Sequence, residues 1–197
     1  MNLFFKTLYI KGVTLVEIMV AISIFTIVTA VVLFNHTTFN ANILVTNLAY
    51  EIALSIRQAQ VYGLSVRQEL GESESFNYAY GVYFSPSFNN KFYLYADKNN
   101  DKNFNPAEGC TDPEDECLEE FTLRNGVVID EIKAGGVFAD EYLNILFQRP
   151  NPEAVIILDG DVVSPPQSDA TIVIKSERTN KEKTIRIDRT GQISVQQ

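Results

Sequence analysis

The 197-residue sequence predicts an α+β fold, in which a long N-terminal α-helix packs on a small antiparallel β-sheet domain. Three observations predict it. Residues 13–34 are almost continuously apolar, no Gly or Pro interrupts residues 13–62, and from residue 76 onward short β-prone segments recur between turn residues.

The stretch KGVTLVEIMVAISIFTIVTAVVLFN, residues 11–35, opens the helix. Its apolar run of about 22 residues is enough to cross a bilayer, which takes about 20. Lys6 and Lys11 precede it, on the side that basic residues mark as cytoplasmic. A secretory signal peptide has a shorter apolar core followed by a small-residue cleavage site, so its order of parts is wrong here. A plain anchor leaves Glu17 unexplained, because a carboxylate in hydrocarbon costs at least about 2.5 kcal/mol and persists where it has a partner or a task.

Past Phe34 the helical spacing continues. Leu44, Leu48, Ile52 and Ile56 form one i, i+4 row flanked by Val45, Ala49 and Ala59. Asn40, Asn42, Asn47, Glu51, Arg57 and Gln58 fall mostly on other faces, so the helix turns from apolar all round to amphipathic near residue 38. Gly63 is the expected stop. About fifty residues at 1.5 Å each give a rod of roughly 75 Å, half in lipid and half under a domain.

The β segments follow: FNYAYGVYF (76–84), KFYLYA (91–96), EEFTLR (119–124), VVIDEI (127–132), LNILFQ (143–148), AVIILD (154–159), ATIVIKS (170–176), TIRIDR (184–189) and a short QISV (192–195). Asn125-Gly126 and Thr190-Gly191 read as hairpin turns. One small antiparallel sheet system on the exposed half of the helix is the economical arrangement.

Composition narrows the function. A formal net charge of −9 without a Lys/Arg cluster speaks against direct nucleic-acid binding. The single histidine, His36, lies at the membrane edge of the helix with no nucleophile to recommend it. Asp159 and Asp161 flank Gly160, which a turn between strands explains without catalysis. No phosphate-binding Gly-rich loop, HExxH or CxxC is present. Tyr78, Tyr80, Tyr83, Tyr93 and Tyr95 alternate along two segments, as on a half-buried sheet face or an aromatic ligand surface. No enzyme is expected.

Cys110 and Cys117, the two cysteines, sit close together in a polar, Pro- and acid-rich segment. They read as a small disulfide loop in an oxidising compartment or as two unpaired surface thiols. Just before them runs DKNNDKNFNPAE, residues 97–108. Asp97, Asn99, Asp101, Asn105 and Glu108 stand at positions 1, 3, 5, 9 and 12 of an EF-hand-like loop, with the carbonyl of Asn103 at 7 and Phe104 as the apolar pin at 8. Oxygen ligands suit Ca²⁺ as the cofactor. Against it, Lys102 takes the sixth position, where Gly normally permits the turn. A metal-free Asn/Asp-rich turn is the competing reading.

Gly12-Val13-Thr14-Leu15-Val16-Glu17, after Lys11 and before the apolar run, resembles the signal of type IV prepilins and type II secretion pseudopilins. The resemblance implies cleavage between Gly12 and Val13 by a prepilin peptidase, N-methylation of Val13, and retention of the helix. It gives Glu17 a partner, the terminal amine of a neighbouring subunit in the filament. Val13 stands where Phe is usual. The closing part, LNILFQRPNPEAVIILDG onward, resembles the H-type minor pseudopilins, and the mid-chain cysteines favour a minor over a fibre-building subunit.

On that resemblance the chain divides into a leader (1–12), a transmembrane and filament-core helix (13–35), its amphipathic continuation (36–63) and an extracytoplasmic β-rich domain (64–197). The implied function is that of a minor pilin or pseudopilin of a type IV pilus-like filament or type II secretion pseudopilus. Its implied partners are other pilin or pseudopilin subunits, the prepilin peptidase and an inner-membrane assembly platform. It would span the cytoplasmic membrane once and reach the filament or cell surface on assembly. A membrane-tethered, Ca²⁺-stabilised adhesive module is the alternative.

Overall fold

In a computed structural model of the chain, the residues described are 12–65, 78–106, 110, 115–160 and 167–196, with the side chains of 34–40 excluded. The chain divides into two compact units, Met1–Asn40 and Ala41–Gln197. Helix α1 (Leu15–Leu64) contributes to both.

In the first unit, Leu15–Leu33 forms a 19-residue stretch of mean hydropathy 2.5 with none of it buried. It is long and apolar enough to cross a membrane. Two of its polar side chains bond locally: the Ser23 hydroxyl donates to the Met19 carbonyl at 2.8 Å and the Thr26 hydroxyl to the Ile22 carbonyl at 2.8 Å. Such i−4 bonds let hydroxyls persist in an apolar stretch without an open donor.

The second unit contains the rest of α1 and two five-stranded antiparallel sheets. The first is ordered β3-β2-β1-β6-β7 and the second β10-β9-β8-β4-β5. The strands are β1 (Ala79–Phe84), β2 (Lys91–Asp97), β3 (Cys117–Thr122), β4 (Val127–Ala134), β5 (Val137–Phe138), β6 (Leu143–Gln148), β7 (Asn151–Leu158), β8 (Asp169–Ser176), β9 (Glu182–Asp188) and β10 (Ile193–Gln196). In the first sheet Val82 lies opposite both Leu94 and Ile145, and in the second Ile172 lies opposite both Ile132 and Ile185.

The core follows from these registers. Val45, Leu48, Ala49, Ile52, Ile56 and Ala59 of α1 are buried against one face of each sheet, which confirms the stripe read from the sequence, with Leu44 partly covered beside it. Each Ile or Leu taken fully out of water contributes about 1.5–3 kcal/mol. β8 alternates buried and partly exposed residues, as expected for a sheet with one covered face. In contrast, β1 is buried along its whole length. The cause is a second apolar cluster on the other face of the first sheet: Ala79, Tyr83, Tyr93, Tyr95, Leu146 and Ile157, capped by Phe104 and Cys117.

Several expectations are corrected. The small antiparallel sheet system consists of two sheets. Asn125 and Gly126 do form a turn, with φ of 61° and 72°, but it joins β3 of one sheet to β4 of the other and so makes no hairpin. Thr190-Gly191 closes the β9–β10 hairpin as read. α1 ends at Leu64, one residue past Gly63, so the stop falls where it was read; the missing side chain also serves close approach, since a Cβ there would collide with the Phe147 carbonyl. The five tyrosines are all buried, so they form core and no ligand surface. The two-residue β5 went unread because it is too short to show a period.

Candidate functional site

Two places carry the residues singled out by sequence. The first is the start of α1. Gly12, Val13 and Thr14 precede the helix without regular structure and are exposed. Thr14 caps it: its Oγ1 accepts the N–H of Glu17 at 3.3 Å, and its carbonyl accepts the N–H of Ile18 at 3.2 Å. A Thr at this position satisfies one of the donors that every helix start leaves open. Glu17 therefore sits in the first turn, exposed, where the helix dipole favours a carboxylate by about 0.3–1 kcal/mol. That supplies a local reason for an acid at this place, which reading the acid only against hydrocarbon had missed. His36 lies within α1, its side chain outside the described set.

The second place is the connection between β2 and β3. Asp97 ends β2 and is 1 % exposed. Its Oδ2 accepts the N–H of Lys102 at 3.1 Å, while its Oδ1 is buried without a hydrogen-bond partner. The chain then turns through two left-handed residues, Asn100 and Lys102, each with φ of 61°. For Lys102 this conformation costs roughly 1–2 kcal/mol, where Asn100 tolerates it better. Side-chain oxygens hold the turn: Asn99 Oδ1 accepts the N–H of Asp101 at 2.8 Å, Asp101 Oδ1 accepts that of Asn103 at 2.7 Å, and Asp101 Oδ2 accepts Asn99 Nδ2 at 3.0 Å.

Phe104 is the apolar pin that the spacing called for. It is buried, with its ring centroid 5.0 Å from that of Tyr95, 5.3 Å from Tyr93 and 5.4 Å from Tyr83. Asn105 is exposed, and Glu108 lies outside the described residues. Cys110 and Cys117 are joined in a disulfide, their Cα atoms 4.9 Å apart. The reading as two free thiols is thereby overturned.

Two participants were not legible beforehand. Glu116, one residue before β3, accepts the N–H groups of Lys98 at 3.0 Å and Asn99 at 3.2 Å through Oε1. Asn144, fully buried on β6, donates through Nδ2 to the Lys102 carbonyl at 3.5 Å and to Asn103 Oδ1 at 3.4 Å, while its own Oδ1 has no partner. A polar residue inside the apolar segment LNILFQ is the one sequence signal for Asn144.

The electrostatics follow the burial. Loss of water pushes the Asp97 carboxyl above its ordinary value; the Lys102 N–H opposes this and the charge of Asp101 adds to it. Burial likewise raises Glu116 against the N–H groups of Asn99 and Lys98, with Asp97 and Asp101 adding to it. The Tyr95 hydroxyl, buried and without a hydrogen-bond partner, is held protonated by burial first and by Asp97 and Glu116 next. Among the described residues no three His, Cys, Asp or Glu side chains converge on one point.

Asp159, read as a turn residue, is that. Its carboxylate accepts the N–H groups of Asp140 at 2.8 Å, Glu141 at 2.7 Å and Tyr142 at 2.8 Å. Asp161 lies outside the described residues.

Residues 9–33 match the prokaryotic N-terminal methylation motif. The match takes in Gly12, Val13, Thr14 and Glu17 together with the apolar helix, and it supports a pilin-like reading in general. No curated protein matches the chain. No solved structure does either.

Proposed function

We propose that the chain is the precursor of a minor pilin or pseudopilin, a structural subunit without catalytic turnover. A prepilin peptidase cuts between Gly12 and Val13 and methylates the Val13 amine. The helix then passes from the membrane into a type IV pilus-like filament or secretion pseudopilus, with the β domain outside the cytoplasm. Other subunits and an inner-membrane platform are its partners, and nucleic acid is not contacted directly.

The observation that carries this reading is the order of parts at the start of α1: an exposed, non-helical Gly12-Val13 bond, a Thr14 cap, a first-turn Glu17 and then a fully exposed apolar stretch, all inside the matched motif. A peptidase needs extended backbone at the bond it cuts, and a retained helix needs its cap on the product side of that bond. The exposed, non-helical Gly12-Val13 bond and the Thr14 cap just after it support that reading. Glu17 meets the Val13 amine of a neighbour, and each charge removes the cost of the other in an apolar bundle.

Mass spectrometry of the protein from a host with a prepilin peptidase tests it. The expected chain begins with N-methylated Val13, and Gly12→Leu leaves a precursor about twelve residues longer. A wild-type chain that keeps its first twelve residues, or a Gly12→Leu chain that loses them, would sink the proposal. Glu17→Ala is expected to be processed normally yet to be lost from filaments.

A further inference from the structure

We infer that the β2–β3 connection is a Ca²⁺ site anchored by the free Oδ1 of Asp97, with Asn99, Asp101 and the Asn103 carbonyl as further oxygen ligands, while Glu116 holds the backbone of the turn through the N–H groups of Lys98 and Asn99. This is independent of the proposed filament role.

The anchor is the decisive observation. Asp97 is 1 % exposed, and its carboxylate is aimed at its own loop, since Oδ2 takes the Lys102 N–H. Oδ1 is left buried with no donor. Buried carboxylate oxygens are ordinarily satisfied by N–H groups, water or a cation. Asp101, whose Oδ1 holds the Asn103 N–H, supplies a second carboxylate in the same turn, and a cation satisfies the orphaned Asp97 oxygen.

The backbone is arranged for the same end. In an EF-hand-like loop the first Asp divides its two oxygens between the ion and the N–H at position 6, and the side chains at positions 3 and 5 hold the turn through backbone N–H groups two residues on. Asp97, Asn99 and Asp101 make those backbone contacts. Lys102 reaches the left-handed conformation that its position requires even though it is not Gly. Phe104 and the Cys110–Cys117 disulfide fix the far side. Asn144 Nδ2 points to the Lys102 carbonyl and Asn103 Oδ1, and so steadies the segment that offers the Asn103 carbonyl.

The site asks for two carboxylates, Asp97 and Asp101, since no trio of His, Cys, Asp or Glu converges among the described residues. Ca²⁺ takes 6–8 oxygens in flexible geometry, and carbonyl, amide and water oxygens count among them. Mg²⁺ demands a tight octahedron that an Asn-rich loop does not offer.

The test uses the full chain in detergent micelles, stripped with EDTA and titrated with CaCl₂ by calorimetry. One ion per chain is expected, with a Kd in the roughly 10⁻⁴–10⁻³ M range of extracellular modules, and with MgCl₂ weaker by at least about tenfold. Asp97→Asn removes the anchor charge and Asp101→Asn, at an exposed position, removes a ligand charge without touching the core; each is expected to weaken Ca²⁺ by at least about tenfold. Asp159→Asn serves as the acidic control and leaves binding unchanged. The inference is overturned by no heat and no melting shift up to about 10 mM CaCl₂, the result expected if water alone satisfies Asp97. It is equally overturned by binding that survives Asp101→Asn, which would place the ion elsewhere on the acidic surface.

Discussion

Asp97 and Asp159 occupy comparable places: one is the last residue of β2 and the other follows the last residue of β7, and both turn their carboxylates back onto neighbouring backbone. Their surroundings differ. Asp159 receives three N–H groups. Burial pushes its carboxyl up, but those donors outweigh burial and hold it below the usual carboxylate value. Asp97 is more deeply buried, receives the Lys102 N–H on one oxygen, and has nothing on the other. Two acids in turns thus do opposite things. A carboxylate whose donors are complete organises backbone, and one with an orphaned oxygen marks a place built for something else.

The largest effect expected from this contrast comes from Asp159→Ala. It strands the N–H groups of Asp140, Glu141 and Tyr142 and loosens the segment that leads into β6. Hydrogen bonds to a charged acceptor each contribute about 1.5–3 kcal/mol, less where water can replace them, so a total loss of about 2–3 kcal/mol is expected. Denaturant unfolding of the full chain measures it. A loss below about 0.5 kcal/mol, the range of ordinary surface substitutions, would mean that the three bonds are ornamental.

The next is a pH dependence with a defined sign. Because the folded Asp159 has a depressed pKa, its contribution is complete above the unfolded value and disappears as pH falls through the folded one. Asp159→Asn retains one acceptor oxygen and is expected to cost about 1 kcal/mol near neutrality. The gap between wild type and Asp159→Asn should hold down to about pH 5 and narrow below about pH 4. A gap that stays constant through that window would show that the charge does not matter.

A third measurement separates the two acids directly. In chelator, Asp97→Asn keeps an oxygen for the Lys102 N–H and removes a buried charge that faces other carboxylates, while its amide brings new donors into a confined space. These terms oppose each other, so the change is expected to stay within about 0.5 kcal/mol. In Ca²⁺ the same variant should lag well behind wild type. A loss of several kcal/mol in chelator would show that Asp97 is as complete as Asp159 and would break the comparison.

How much of this was legible in the sequence depends on distance along the chain. The row Leu44–Leu48–Ile52–Ile56 with Val45 flanking it, the strand segments and the loop positions Asp97, Asn99 and Asp101 are local patterns, and period or spacing reveals them, although Val45 is buried where Leu44 is only partly covered. Phe104 was legible as a pin for the same reason. Which strands pair is a long-range choice, so Asn125-Gly126 gave its turn but not the change of sheet. Glu116 and Asn144 reach the loop from the exit strand and from β6, and no spacing rule connects them to Asp97. Gly63 was legible as the end of α1, but the Phe147 carbonyl that excludes a Cβ there belongs to another part of the chain and was not.

The last effect concerns Lys102, the residue that argued against an ion when only the sequence was read. Its φ of 61° is a conformation that side chains with a Cβ adopt at a cost of roughly 1–2 kcal/mol. Replacing it by Gly removes that cost, but Gly also gains freedom in the unfolded chain, which takes back about 0.5–1 kcal/mol. Lys102→Gly is therefore expected to stabilise the protein in chelator by about 0.5–1 kcal/mol, the difference between those two terms. Asn100→Gly, at the same φ, should gain less, because Asn enters the left-handed region with a local hydrogen-bonding side chain to help it. With Ca²⁺ present the gain at Lys102 should grow, since the substitution also deletes a positive charge beside the ion. If Lys102→Gly instead destabilises the protein in both conditions, then the Lys102 side chain does work that its backbone does not reveal. The loop would then be organised by that ammonium group among its carboxylates, with the lysine standing in for the metal.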